Sequence, residues 1–480
     1  MKAFLFRRGL WAAQSAGWRA ALRREIVQWL PQQARPGKGA WCWALICLAL
    51  AVPGAAQAAP AIEHWVQPSG ARVHLVQTAA LPMLDVQIDL DAGSRRDPAP
   101  QAGLAQATAA LLRAGVQAHG DRAALDENAL AEAWADLGAQ FSASATRDRL
   151  SLRLRTLTQP DLLQAAQDLL AQQLAAPAFA APVWQRERQR WVARWQQGQT
   201  EPEVLAEQLL HAAVYGAHPY GQQARPETWA AIEAEHLRAF WQRHAQACSA
   251  RVTLVGAIDR ERADALVRQL LAGWQGHGCS VLPSVPEVPP LAQAQRIAQP
   301  FVVAQSQILI GQPGLARRDP DFLAFMVANQ ILGGSGFSSR LMQEVRERRG
   351  LTYDIHSRFV PGRHAGAFVV ATTTQPQRAA QALALVQEEI RRFVADGPTQ
   401  AELEHAQAAL INGFGLRLDS NRELLQEVAA LAWHDLPLND LQTWGARVAA
   451  LERAQVHRAL QRVLQPERMV TVLFGGGPEP

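Results

Sequence analysis

The chain carries 13 histidines, yet beyond residue 58 no two of them stand four residues apart. Two imidazoles one helical turn apart are what a helix needs to grip a single zinc ion, so a site of that kind is excluded. The closest pairs, His211 with His218, His236 with His244 and His356 with His364, are seven and eight residues apart. Glu235-His236 and Glu404-His405 would each close a His-x-x-Glu-His pattern, but Ile232 and Ala401 hold its first position. These histidines read as surface or locally hydrogen-bonded groups. Net charge is also scarce. Residues 1–58 hold eight Lys and Arg against one Glu, which leaves 39 basic and 42 acidic residues in the remainder. A nearly neutral chain gives no electrostatic ground for binding nucleic acid. Beyond residue 58 only Cys248 and Cys279 remain. In an oxidising compartment they can pair and add roughly 3 kcal/mol, or they can stay as two buried thiols. No helper residue beside either one suggests catalysis. The glycine-rich Leu332-Gly333-Gly334-Ser335-Gly336-Phe337 is followed by no Gly-Lys-Ser/Thr and completes no dinucleotide fingerprint. It reads as a flexible connector between two helices.

The first 58 residues have the order of an export leader. A basic stretch ends at Arg35 and Lys38, an apolar run spans Trp41 to Val52, and Ala56-Gln57-Ala58 offers a small-x-small cleavage site before Ala59. The run is short for a membrane span and suits a signal-peptide core, which places the mature protein in a periplasm-like compartment. The basic stretch is long, so either the true start lies downstream of Met1 or the leader is kept as a membrane anchor. Cys47 after Ala44-Leu45-Ile46 is a weak match to a lipoprotein signal.

Two halves of similar length follow. Residues 59–278 form the first, 279–300 a proline-rich linker and 301–480 the second. Val281 to Pro290 forbids a helix and favours an extended connection. The halves echo one another: Arg95-Arg96-Asp97-Pro98 recurs as Arg317-Arg318-Asp319-Pro320, each time between an alternating strand and an apolar-faced helix. The strands run over 84–90 and 305–310. Residues 139–146 and 149–157 alternate as further strands, and 160–175, 182–196 and 203–215 show helical spacing. Arg251 to Gly256 and Met469 to Phe474 read as the closing strands. The grouping predicts an α+β fold of two homologous domains, each a mixed or antiparallel sheet covered by helices.

Gly103-Leu104-Ala105, with what surrounds it, resembles the pitrilysin or insulinase-like zinc metallopeptidases, in which such a segment runs into His-x-x-Glu-His. The three chemical positions are here Gln106, Ala109 and Ala110. A neutral amide oxygen is a poor zinc ligand and two methyl groups are none. The family's further glutamate ligand lies in a pattern like Arg-Glu-x-x-x-Val-x-x-Glu. Aligned on Arg186-Glu187, that pattern puts Arg194 in the ligand column. Arg194 is either a fixed cation near the zinc position or a solvated helix residue.

The segment Ser339 to Tyr353 closely resembles the family's C-terminal-domain signature. In relatives an arginine and a tyrosine seven apart there meet substrate, which implies Arg346 and Tyr353 as substrate-binding residues. From composition alone Arg346 belongs to a solvated charged face with Glu344 and Glu347; the motif favours the cleft. The glycine-rich loop also approaches substrate in relatives. His218-Pro219-Tyr220-Gly221 and the run from Trp229 through Phe240 to Val255 extend the resemblance to about residues 62–475. It implies half of a clam-like peptidase chamber, no metal in this chain, zinc in a paralogous partner subunit, and peptides or unfolded polypeptides as substrate. The rival readings are a structural or holdase-like peptide-binding protein, and an active peptidase with an unrecognised ligand set.

Overall fold

The computed structural model describes residues 60–274, 279 and 281–475. The leader, its cleavage site and Cys47 lie outside them. The first sheet takes its strands from β1 (Glu63–Val66), β2 (Arg72–Gln77), β3 (Met83–Leu90), β4 (Gln140–Ala145), β5 (Leu150–Leu157) and β6 (Arg251–Gly256), in the order β1-β2-β6-β3-β5-β4. The second comprises β7 (Gln295–Gln299), β8 (Ser306–Pro313), β9 (Ile355–Phe359), β10 (Ala367–Thr374) and β11 (Val470–Phe474), in the order β7-β11-β8-β10-β9. From β2 onward the two orders match strand for strand. Each sheet has one parallel pair, β2 with β6 and β7 with β11, and is otherwise antiparallel. The echo between the halves is thus an echo of topology. One expectation changes: β7 falls inside 279–300, so the second sheet begins within the stretch read as linker. Its sequence, QRIAQ, places one half-buried Ile297 among exposed residues and gives no apolar alternation.

On β3 the alternation does its work. Leu84, Val86, Ile88 and Leu90 enter the first core, while Asp85, Gln87 and Asp89 point to the opposite face. There they meet Arg155 at 2.8 Å and Arg153 at 2.7 Å from β5, and Arg149 at 2.9 Å from the residue before it. In the second sheet β11 is buried along its whole length and β8 nearly so. A strand apolar on both faces needs cover on both.

That cover comes from the other half. Helix α1 (Pro202–Tyr215), from the first half, lays Ala206, Leu210 and Val214 on Leu309, Val369, Val470 and Val472 of the second sheet. Gly311 of β8 lets it come close, since an added Cβ would sit 3.2 Å from a Leu210 methyl. Helix α2 (Asn421–Trp433), from the second half, returns the contact through Leu424, Leu425, Val428 and Leu431 against Val76 and Val255 of the first sheet. Residues 59–480 accordingly cluster as one unit. Cys248 and Cys279 are joined by a disulfide that ties the end of β6's approach to the proline-rich stretch. With a sequence separation of 31, loop entropy alone contributes about 3–4 kcal/mol.

The exchange predicts how the protein unfolds. Leu210→Ala and Leu425→Ala should each cost about 2–4 kcal/mol, and urea unfolding followed by tryptophan fluorescence should keep a single transition in both. Two separate transitions, with each substitution moving only one, would show the halves to be independent.

Candidate functional site

Helix α3 (Leu104–Leu111) carries the expected ligand positions, and the first Arg-Arg-Asp-Pro copy builds its start. The Asp97 carboxylate accepts from Gly103 N at 2.8 Å and Ala105 N at 2.9 Å. Burial pushes that carboxyl up to about 7 against the pull of these backbone groups. Gly103 takes φ +103, and a Cβ there would lie 2.6 Å from Trp229 Nε1, so glycine is required at this turn. Arg95 pairs with Asp91 at 2.6 Å and Asp148 at 3.1 Å, and Arg96 with Asp91 at 2.8 Å.

Along the helix, Gln106 is half-buried and its Oε1 has no hydrogen-bond partner. Ala109 is 2 % exposed and packs in the core, with Ala110 against its margin. Helix α4 (Ala181–Gly198) packs alongside and brings Trp184 and Trp191 to the same core. Trp184, Trp191 and Trp229 meet edge to face with centroids 5.5 and 5.7 Å apart. Glu187 is held by Arg190 at 2.6 Å. Arg194 is exposed and makes no hydrogen bond or ion pair among the described residues. An amide and two methyl groups do not fit zinc. Among the described residues, no three of His, Cys, Asp or Glu are grouped to hold a metal ion.

Among the paired histidines, His236 and His218 accept locally, from Glu233 N and Tyr220 N at 3.0 Å each, whereas His244 and His364 differ from expectation in being buried without such a local bond. His218 Nε2 bonds Pro286 O at 2.8 Å and His244 Nδ1 bonds Asp91 O at 2.9 Å, partners 68 and 153 residues away. Burial holds His244 down to about 4, which keeps it neutral.

In the second half, Arg346 sits in a π-helical stretch, Met342–Glu347, a wider turn that re-aims side chains. Glu344 is buried and gathers Arg348, Arg349 at 3.0 Å and Arg392 at 3.4 Å. The charged face therefore belongs to Arg348 and Arg349. Arg346 is left out of it and places its guanidinium 4.8 Å from the Phe337 ring centroid. Phe337 is 65 % and Tyr353 79 % exposed. Phe337 had no role in the sequence reading; its place in the glycine-rich segment was the only cue. That segment is no flexible connector at its start: Gln330–Gly334 continues a helix, and Gly333 packs directly on Ser357. No hydrogen bond, ion pair or ring contact joins Arg346 or Tyr353 to Gln106, Ala109, Ala110 or Arg194 among the described residues. The structure presents two separate places, one without ligands and one with a cation beside the exposed Phe337 ring.

Two family models match the chain, Insulinase (Peptidase family M16) over residues 72–226 and Peptidase M16 inactive domain over 231–410. A solved peptidase M16 inactive domain from Pseudomonas fluorescens superposes with TM-score 0.81 and 31 % identity, covering 87 % of this chain and 98 % of that one. The chain belongs to peptidase family M16. An uncharacterized zinc protease of Streptomyces coelicolor is 26 % identical over 285 residues, 57 % of this chain and 61 % of that protein. The periplasmic protease PqqL from Escherichia coli shares the fold at TM-score 0.74 and 19 % identity; the match covers 95 % of this chain and half of PqqL. Within family M16, this member keeps the two-sheet architecture, and the helix expected to carry the family's motif presents Gln106, Ala109 and Ala110.

Full-length protein dialysed without chelator should hold far less than one zinc per chain by elemental analysis. Stoichiometric zinc would reveal a ligand set away from Gln106, Ala109 and Ala110.

Proposed function

We propose that this chain is the non-catalytic, substrate-binding subunit of a zinc metalloendopeptidase acting on peptides or unfolded polypeptides, with the metal on a paralogous partner subunit. One observation carries the reading. The helix expected to bear the family's ligand positions offers Gln106, Ala109 and Ala110, whereas Tyr353 is exposed and Arg346, half-buried, has no carboxylate at ion-pair distance among the described residues. A guanidinium and a phenol at the rim of a shared chamber can hold a peptide carbonyl and stabilise developing oxyanion charge. The chemistry of attack would belong to the partner, and this chain's residues would bind and orient the substrate. The leader and the Cys248–Cys279 bond support an exported, periplasmic location, since disulfides persist in oxidising compartments.

A holdase-like peptide-binding protein is the second reading. It is favoured by the exposed Phe337 and Tyr353 rings, which need no metal to take up apolar side chains.

With a co-purified paralogue bearing an intact His-x-x-Glu-His, Arg346→Ala should lower kcat/KM about 10–100-fold and Tyr353→Phe about 3–10-fold. Both variants should still co-elute with the partner on size exclusion. Unchanged hydrolysis in both would remove these residues from the substrate site.

A further inference from the structure

Between the two halves lies a cavity of about 280 Å³ whose charges do not balance. Arg95, Arg96, Arg318 and Arg363 line it against Asp91, Glu287 and Asp435. Two of those carboxylates are already engaged. Asp91 holds Arg95 and Arg96, and Asp435 holds Arg72 at 2.8 Å and Arg251 at 3.1 Å, both from outside the cavity lining. Glu287, on the proline-rich stretch, is exposed and lies 3.0 Å from His364. Arg318 and Arg363 are left without a carboxylate at ion-pair distance among the described residues.

Arg363 is the anomaly. It donates through Nη2 to Trp433 O at 3.1 Å, its guanidinium lies 4.6 Å from the Trp433 ring centroid, and its buried Nε has no acceptor. Two further lining residues hold buried nitrogens without partners: Nε1 of Trp433, a side chain 1 % exposed, and Nδ1 of His434. Burial and the neighbouring Arg317 hold His434 down to about 3, so it stands as a neutral imidazole. Cations without counter-ions and donors without acceptors are each costly in a protein interior, and one small anion relieves several at once. The repeated motif sharpens the contrast. In its first copy both arginines are taken by Asp91, whereas Arg318 in the second copy is exposed and unpaired.

We propose that this cavity is an oxyanion-binding site, in which Arg318 and Arg363 grip a phosphate-type or carboxylate group and Trp433 and His434 supply further N–H donors after small side-chain adjustment. The oxyanion has two possible sources, a free inorganic ion or the terminal carboxylate of a peptide.

Calorimetry on the full chain at fixed ionic strength, which holds screening constant, separates them. The probes are inorganic phosphate, a short peptide with a free C-terminus and the same peptide amidated. At least one oxyanion should bind saturably and raise Tm, and the amidated peptide should not. Phosphate binding alone identifies an inorganic ligand, and binding that needs the free carboxylate identifies a peptide end. Arg318→Gln, at an exposed position that leaves the core intact, should weaken binding tenfold or more, about 1.4 kcal/mol, as should Arg363→Lys where that variant folds. Saturable binding by neither oxyanion, or unchanged affinity in Arg318→Gln, overturns the assignment.

Discussion

The reciprocal exchange of helices is the constraint on which the rest of the structure depends. Strands β8 and β11 are buried on both faces, and among the described residues the helix packed on the one face is α1, from the first half. Helix α2 repays the contact on the first sheet at Val76 and Val255. The two halves therefore share one packing problem, and neither buries its sheet without the other. The arrangement also forces a polar junction. Trp433, at the end of α2, is approached by Arg149, Arg251 and Arg363 with guanidinium-to-ring distances of 5.7, 5.2 and 4.6 Å. Cation–π contacts partly offset the crowding of like charges, and unpaired donors are concentrated at the same place.

The duplicated framework explains how ligand residues can be lost without loss of fold. Helix α3 is fixed by its start, where Asp97 and Gly103 act, and by its core face. None of that depends on a metal. With Ala109 and Ala110 at the expected ligand positions the helix is alanine-rich and of good propensity, and Trp184 and Trp191 of α4 pack with it in the same core. The second half holds its own signature differently, with Glu344 absorbing three arginines so that Arg346 is spared.

Much of the fold was legible in the sequence because its signals are local. The alternation of β3 and β8 and the spacing of the helices from 160 to 215 depend on near neighbours, and the repeated Arg-Arg-Asp-Pro marked the duplication. Strand β7 was not legible, since QRIAQ has a single apolar residue and owes its conformation to pairing with β11. The helical pattern of α1 showed that one face is apolar but not which sheet it covers. His244 misled for the same reason, as its partner Asp91 comes from a distant segment. At the candidate site, the identities Gln106, Ala109 and Ala110 could be read plainly in the sequence. The stacking of Arg346 on Phe337 could not, because it depends on a π-helical turn.

The most direct test is the hydrolysis of an unstructured reporter peptide by this chain alone, by a zinc-bearing paralogue alone, and by the two mixed in equal amounts. The account predicts no hydrolysis by this chain, weak hydrolysis by the paralogue, and a marked gain in the mixture. Hydrolysis by this chain alone, or a mixture no faster than the paralogue, would contradict it.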